Sequence, residues 1–591
     1  MRHRLRIALH DPTAVIGILL VVLFGYLIVV PIVGLVSDAF RVQYADQARI
    51  GGSVGELTGY YLQRVFGSQV ATDIFWKPLA NTAVVSLGAM VVALVVGTAM
   101  GWLLSRTDMF GRRWFATALI VPYMLPSWTF ALAWMTIFKN RTTGGALGWA
   151  EALGFTPPDW LAYGMLPVTV ILALHYTPFV ILLFGNALRR FDTQLEDAAR
   201  MLGAGRLLVA GRIIMPMMLP SLASALTLIF AKCLGDFGVT YILGLPVNFD
   251  VLATSLYRTT ISRQPGVSAV LAGVIILIGM ISVLVDTRLV KEGKRFVTVG
   301  GKGMRDTQSR LGVWRLPATA LAGVVFTVSA AIPLLVLVLT TIMRRPADFS
   351  PGNFTLDFWI GTDLQTTALR TGILITPEFW TAAWNTIWIV GLAAVAAGVF
   401  GLLVGYVVTR TTVPGVASSL RMITFLPYLV PGIAFAVAYL SVFAEPRGPI
   451  PALYGTGLIL ILAMFANNMP FASRAGISSM MQLGRDAEEA ARIVGAGWWR
   501  RMVSIVGPIQ RGPLISGILL PFISGIKGLS LVVLLAVPGT DLLTTYAIRL
   551  VDYGYEQAAN SVVLMICAIA FFGTIFVQKI GKSSLADGLG S

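Results

Sequence analysis

Charge is scarce in this chain. Only 12% of its 591 residues are Asp, Glu, Lys or Arg, and 56% are hydrophobic. Soluble domains carry about 25% charged residues, so an ordinary soluble fold is excluded and lipid must solvate much of the surface. Cysteine is nearly absent. Cys233 and Cys567 both lie in apolar surroundings, too few for a zinc cage or a disulfide scaffold, and read as buried packing thiols. Of three histidines, His3 and His10 belong to the amino-terminal tail, and His175 lies at mid-depth in an apolar run, packed or hydrogen-bonded. No His, Cys and carboxylate set has metal-ligand spacing, so no metal site is expected, and no nucleophile–base constellation marks an enzyme. No G-x-x-x-x-G-K-[ST] loop occurs. Gly581-Lys582-Ser583 has the tail of one, but Phe576 stands where its first glycine belongs. The chain therefore has no ATPase site of its own and no cofactor of its own.

What is present is apolar length. Twelve runs reach the roughly 20 residues that cross a bilayer. They lie near 15–36, 80–104, 115–138, 163–187, 217–243, 267–287, 316–343, 382–409, 419–443, 455–480, 513–537 and 558–578. Lipid offers the backbone no hydrogen-bond partners, so each run is expected to be a helix and the fold all-α. The basic start Met1-Arg2-His3-Arg4 looks like a leader, but Pro31 and Ser37-Asp38 favour a retained anchor helix. The net charge of +16 fits the positive-inside rule better than nucleic-acid binding. With both termini cytoplasmic, most Lys and Arg fall on the cytoplasmic side. The densest cluster, Arg288, Lys291, Lys294, Arg295, Lys302, Arg305, Arg310 and Arg315, then lies between runs six and seven.

The chain is a tandem duplication. Glu196-Asp197-Ala198-Ala199-Arg200-Met201-Leu202-Gly203-Ala204-Gly205 recurs 292 positions later as Glu488-Glu489-Ala490-Ala491-Arg492-Ile493-Val494-Gly495-Ala496-Gly497. Around it, Asn81-Thr82 recurs as Asn385-Thr386, Arg106-Thr107 as Arg410-Thr411, and Pro122-Tyr123-x-x-Pro126 as Pro427-Tyr428-x-x-Pro431. Each copy has six runs, so the copies share one orientation about an axis along the membrane normal. Residues 1–290 form the first repeat with its loop at 192–216. Residues 316–591 form the second with its loop at 484–508. Residues 291–315, basic and Gly-rich (Gly293, Gly300, Gly301, Gly303), form a cytoplasmic linker.

Each repeated phrase reads as a short helix. Thr193-x-x-Glu196 and Asp486-x-x-Glu489 have capping-box spacing. Glu196 and Arg200, like Glu488 and Arg492, stand four apart in the favoured order. Gly203 and Gly495 suit a helix stop, and the paired alanines Ala198, Ala199, Ala490 and Ala491 let another protein approach closely.

The pattern resembles the EAA loop of binding-protein-dependent ABC importer permeases. Asp197-Ala198-Ala199, Gly203, Ile213 and Met215-Pro216 match, as do Glu489-Ala490-Ala491, Gly495, Ile505 and Gly507-Pro508. The resemblance implies the type I importer fold in the bacterial inner membrane. In it, the two loops dock on a separate dimer of ABC ATPase subunits that uses the ATP, through Glu196, Asp197, Ala198, Ala199, Gly203, Glu488, Glu489, Ala490, Ala491 and Gly495. A periplasmic solute-binding protein would deliver cargo to the outer loops, including 38–78 and 344–378. Two units fused in one chain, with Gly235-Asp236-Phe237-Gly238-Val239 and Lys527-Gly528-Leu529-Ser530-Leu531, are similar to the ferric-iron group, and relatives for thiamine, polyamine, sulfate or phosphonate share parts of these motifs.

Charges inside lipid are costly and point to function. Lys232 and Lys527 occupy near-equivalent places in the two copies, and Asp236, four residues after Lys232, is positioned to pair with it. Two lysines on a central path would attract an anion or an anion-chelated metal. A rival class, an ion-coupled secondary transporter, needs titratable groups at the midplane and leaves the twin loops without a role.

Overall fold

The computed structural model describes residues 12–191, 194–293, 309–364, 369–446 and 451–581. The described residues are helical, with three isolated β-bridges and no strand. The first half runs α1 (Pro12–Asp38), α2 (Thr72–Arg106), the pair α3 and α4 (Arg112–Met124, Ser127–Phe138), α5 (Asp159–Arg189), the short α6 (Gln194–Met201) and α7 (Ala210–Gly235). It ends with the pair α8 and α9 (Gly238–Val247, Leu252–Ile261) and α10 (Pro265–Gly293). The second half repeats this order. It contains α11 (Gly312–Thr341), α12 (Pro377–Arg410), α13 and α14 (Pro414–Leu429, Gly432–Phe443), α15 (Gly457–Gln482) and the short α16 (Asp486–Ile493). The pair α17 and α18 (Trp498–Ile509, Arg511–Lys527), α19 (Leu543–Asp552) and α20 (Glu556–Gly581) complete it.

Among the described residues, nine helices are long and apolar enough to cross a membrane, and four bent pairs raise the candidates to 13. Twelve coincide with the apolar runs. The thirteenth, α8–α9, was hidden because run five, expected to reach 243, stops at Gly235. Its two arms are each about half the roughly 20 residues that cross a bilayer and are bent by 77° to one another, so the pair reads as a re-entrant hairpin. Run eleven likewise stops at Lys527 instead of 537, and α19 follows as the equivalent element.

Proline explains two of the breaks. A residue preceding proline avoids the helical region. Leu125 (φ −93, ψ 162) and Val430 (φ −106, ψ 113) are therefore extended before Pro126 and Pro431. Runs three and nine, expected as single helices, bend by 89° and 112° there. The duplicated Asn-Thr pair also acquires a role. Thr82 Oγ1 accepts from the Leu252 amide at 2.9 Å, and Thr386 Oγ1 accepts from the Leu543 amide at 2.8 Å. Asn81 and Asn385 donate to the Asp250 and Asp541 carbonyls at 2.8 and 3.2 Å. Each pair thus pins its half's re-entrant segment to the second span.

The halves exchange their first spans. α1 packs on α14, and α11 packs on α4. Tyr439 donates to the Leu27 carbonyl at 2.8 Å, and Ser441 hydrogen-bonds Asp38. Within a half, small residues bring helices close. A Cβ on Gly405 would meet the Gly476 backbone at 2.2 Å, so α12 and α15 touch backbone to backbone. The residue end of the linker, Ser309 to Arg315, returns to the loop after α2, where the Ser309 amide donates to the Arg106 carbonyl at 2.9 Å. Residues 294–308, most of the linker, lie outside the described residues, as do Lys582 and Ser583.

Opposite the repeated loops, Lys139 Nζ approaches Glu556 Oε1 at 2.7 Å across the two halves, with side chains 3% and 19% exposed. Removing one partner of a buried pair typically costs about 3–5 kcal/mol. Lys139→Met is therefore expected to lower the melting temperature of the purified protein, and adding Glu556→Met should recover most of the loss. An unchanged melting point in the single variant would show that the pair does not hold the halves together.

Candidate functional site

The repeated loops form twin handles on one end of the molecule. In each, the fourth full-length span of the half leads into a two-turn helix, α6 or α16, and then turns back at a glycine. The turn is the same in both copies. The Gly203 amide donates to the Arg200 carbonyl at 2.9 Å and the Ala204 amide to the Ala199 carbonyl at 3.0 Å; the Gly495 and Ala496 amides repeat this with Arg492 and Ala491 at 3.0 and 2.9 Å. This is the Schellman stop, which needs a left-handed residue. Gly203 and Gly495 supply it at φ +84° and +81°.

The start of the helix differs from expectation. α16 begins at Asp486 itself, and Arg485 precedes it without a side-chain cap, so the Asp486–Glu489 capping box does not form. Thr193 lies outside the described residues. Pro216 lies in α7 just after the π-helical stretch Ala210–Ile214 and so does not start its helix, and Pro508 belongs to the short arm α17, with the long helix restarting at Arg511.

The ten predicted loop residues divide into two groups. Asp197, Ala198, Gly203, Glu489, Ala490 and Gly495 are exposed, with Ala199 and Ala491 half-buried behind them. Glu196 and Glu488 turn inward instead, at 7% and 6% exposure. Glu196 Oε1 lies 2.8 Å from Arg106, a close ion pair whose approach is off-axis for a hydrogen bond, and 3.5 Å separates its other oxygen from Arg200. Glu488 accepts from Arg410 Nε at 2.9 Å and from the Tyr406 hydroxyl at 3.0 Å. Arg106 and Arg410 close their span ends and also donate to the Leu188 and Leu483 carbonyls at 3.1 and 2.9 Å. Each handle is thus bolted to the second span by an arginine at a helix C-terminus, buried at Arg106 and half-buried at Arg410, where a cation is favoured. Sequence reasoning saw the Arg106 and Arg410 repeat but gave it no role.

The tips carry a second unassigned feature. Met201 and Leu202 are 83% and 90% exposed, and Ile493 and Val494, 292 residues later, are 86% and 82% exposed. Paired, prominent apolar side chains at matching positions are the kind of patch that a protein or membrane contact covers.

The membrane-embedded charges are arranged around the first proline break. Lys527, last residue of α18, donates from Nζ to the Tyr123 carbonyl at 3.0 Å and lies 4.8 Å from that ring's centre. Lys232 lies in the last turn of α7, whose closing Gly235 carbonyl accepts from the Ser530 hydroxyl just beyond Lys527 at 3.3 Å. Asp236 does not pair with Lys232. The helix ends between them, and its carboxylate accepts from Ser127 Oγ (2.6 Å), the Val239 amide (3.1 Å) and the Tyr176 hydroxyl (3.4 Å). His175 is buried, as read from the sequence, against Tyr123, Phe130 and Tyr176. The two cysteines are buried free thiols. One charge was missed: Arg474 lies inside run ten, stacked 4.5 Å over Phe425 and 5.5 Å from the Tyr428 ring centre. Its cationic type inside an apolar run was the available signal.

Residues 89–292 and 398–582 match the family described as "Binding-protein-dependent transport system inner membrane component". The two segments correspond to the two repeats. A ferric transport system permease protein of Actinobacillus pleuropneumoniae is 27% identical over 77% of this chain, and the match spans 65% of that protein's own length. A molybdenum transport system permease protein of Escherichia coli (strain K12) is 29% identical over 38% of this chain and 96% of its own. A probable sulfate transport system permease protein of Prototheca wickerhamii is 26% identical over 36% of this chain and 86% of its own.

Proposed function

Because the chain belongs to the family of binding-protein-dependent transport system inner membrane components, we propose that it forms the two-unit translocation path of an ABC importer. The observation that carries this reading is the pair of handles, equal in turn geometry, anchoring arginine and exposed apolar tip. Two equal handles suit a dimeric motor. An ABC ATPase dimer on the cytoplasmic side would grip α6 and α16 through the exposed residues. Glu196 and Glu488, with Arg106 and Arg410, would pass its motion to α2 and α12. Both termini are then cytoplasmic, and a periplasmic binding protein rests on the opposite loops. Differential grip in the two ATPase states biases the halves between inward-open and outward-open forms.

Ferric iron is the proposed cargo. Its support is the ferric permease match across both repeats, 77% of the chain, where the molybdenum and sulfate permeases match 38% and 36%. The ion-coupled alternative leaves the handles without a role.

The test is co-purification of the tagged permease, expressed in its source cell, with an ABC ATPase subunit. Two ATPase copies per chain and ATP-dependent uptake of labelled iron are expected. A permease that carries cargo with no ATPase bound would overturn the reading.

A further inference from the structure

Three cations of the spanning region, Lys232, Lys527 and Arg474, are absent from the ion pairs of the described residues. Unpaired charges in a membrane are expensive to hold. Lys232 and Lys527 sit in last helical turns, where the macrodipole offsets part of that cost. Yet the Ser530 hydroxyl, just beyond Lys527, donates to the Gly235 carbonyl at 3.3 Å, so the two helix ends meet and repulsion between their lysines adds to the cost. The carboxylates nearby are already engaged. Asp236 is held by Ser127, Tyr176 and the Val239 amide, and Asp286 accepts from Thr227 at 2.9 Å.

A second, independent observation lies alongside. His175 is 5% exposed, its ring donates to the Pro122 carbonyl, and Nδ1, left as an acceptor, has no partner, so a polar group that brings a hydrogen could seat there. The same ring feels the charges of both lysines. Tyr123, which carries Lys527, lies within electrostatic reach of Tyr428, the equivalent tyrosine of the other half, and Tyr428 carries Arg474. Along α15, Arg474 is seven residues nearer the handles than Asn467, the counterpart of His175 at the 292-residue offset. Seven residues amount to about 10 Å of helix. The cations therefore occupy two depths.

We propose that Lys232 and Lys527, gathered round Tyr123 and His175 where the halves meet, form an anion site in mid-membrane, with Arg474 the next station towards the handles. The permeating species is an oxygen-rich anion, free or carrying a metal as an anionic complex. This rests on the permease reading and refines it. A bare metal cation would be repelled at both depths, so ferric iron would cross only in anionic company.

The full chain in lipid nanodiscs, without ATPase or binding protein, is titrated calorimetrically with phosphate, sulfate, molybdate, citrate and ferric citrate. Saturable binding of at least one is expected. Each of Lys232→Met and Lys527→Met should raise its Kd about tenfold, the loss of one charge-assisted contact, whereas Lys→Arg should change it only about threefold or less. Ferric citrate binding more tightly than citrate identifies the metal complex as the ligand; equal binding identifies the anion. No binding by the wild type, or unchanged binding by the double Met variant, overturns the site. Should the Met variants aggregate, Arg474→Gln carries the same test at the second station. An ATPase that still co-purifies with a permease blind to all these anions sinks the anion site and leaves the importer reading standing.

Discussion

Changing Met201, Leu202, Ile493 and Val494 together to aspartate is expected to abolish ATPase binding while the permease folds normally. These four side chains are 82–90% exposed, so removing them takes nothing from the core. If they fill apolar sockets on the motor, each contributes about 1.5–3 kcal/mol. Four sum to at least about 6 kcal/mol, roughly four orders of magnitude in affinity. Aspartate adds the further cost of burying a charge. Gel filtration should show an unchanged permease peak with no ATPase, and uptake should fall to background. Full ATPase retention would mean that the handles meet the motor elsewhere.

Arg410→Leu is expected to do damage of a different kind. It leaves Glu488, 6% exposed, without its cation. Such losses cost about 3–5 kcal/mol, and here the cost falls on the handle. The α16 segment should detach from α12, become sensitive to protease between 483 and 497, and lose ATP-driven uptake even where the motor still binds. Arg410→Lys should rescue poorly, because Arg410 spans Glu488 and the Leu483 carbonyl with separate nitrogens. Arg410→Leu with Glu488→Leu should restore protease resistance, since no charge is then stranded. Arg106→Leu should act alike on α6, where Arg106 holds Glu196 at 2.8 Å. Wild-type protease resistance and uptake in both single variants would show that the arginines are incidental.

Much of this architecture is legible in residue order. Apolar length gives twelve spans because the bilayer sets one length for all of them. The handle turn is legible because Gly203 and Gly495 are needed for a left-handed stop. Hydropathy does not report direction, however, so the bends at Pro126 and Pro431 and the α8–α9 hairpin stay hidden inside continuous apolar stretches. The Arg106–Glu196 and Arg410–Glu488 bolts join residues 90 and 78 positions apart, which no local pattern connects. The Lys232–Asp236 pairing fails for a local reason: four-residue spacing presumes an unbroken helix, and the helix ends at Gly235.

The most direct test is the sidedness of the handles. Single cysteines are placed at Met201 and at Ile493 in a background where Cys233 and Cys567 are alanine, and a membrane-impermeant thiol reagent is applied. Both positions should label in inside-out vesicles, remain unlabelled in intact cells, and become protected when the ATPase subunit is added. Labelling of either position from outside, or labelling that the ATPase leaves unchanged, would contradict a motor-driven permease.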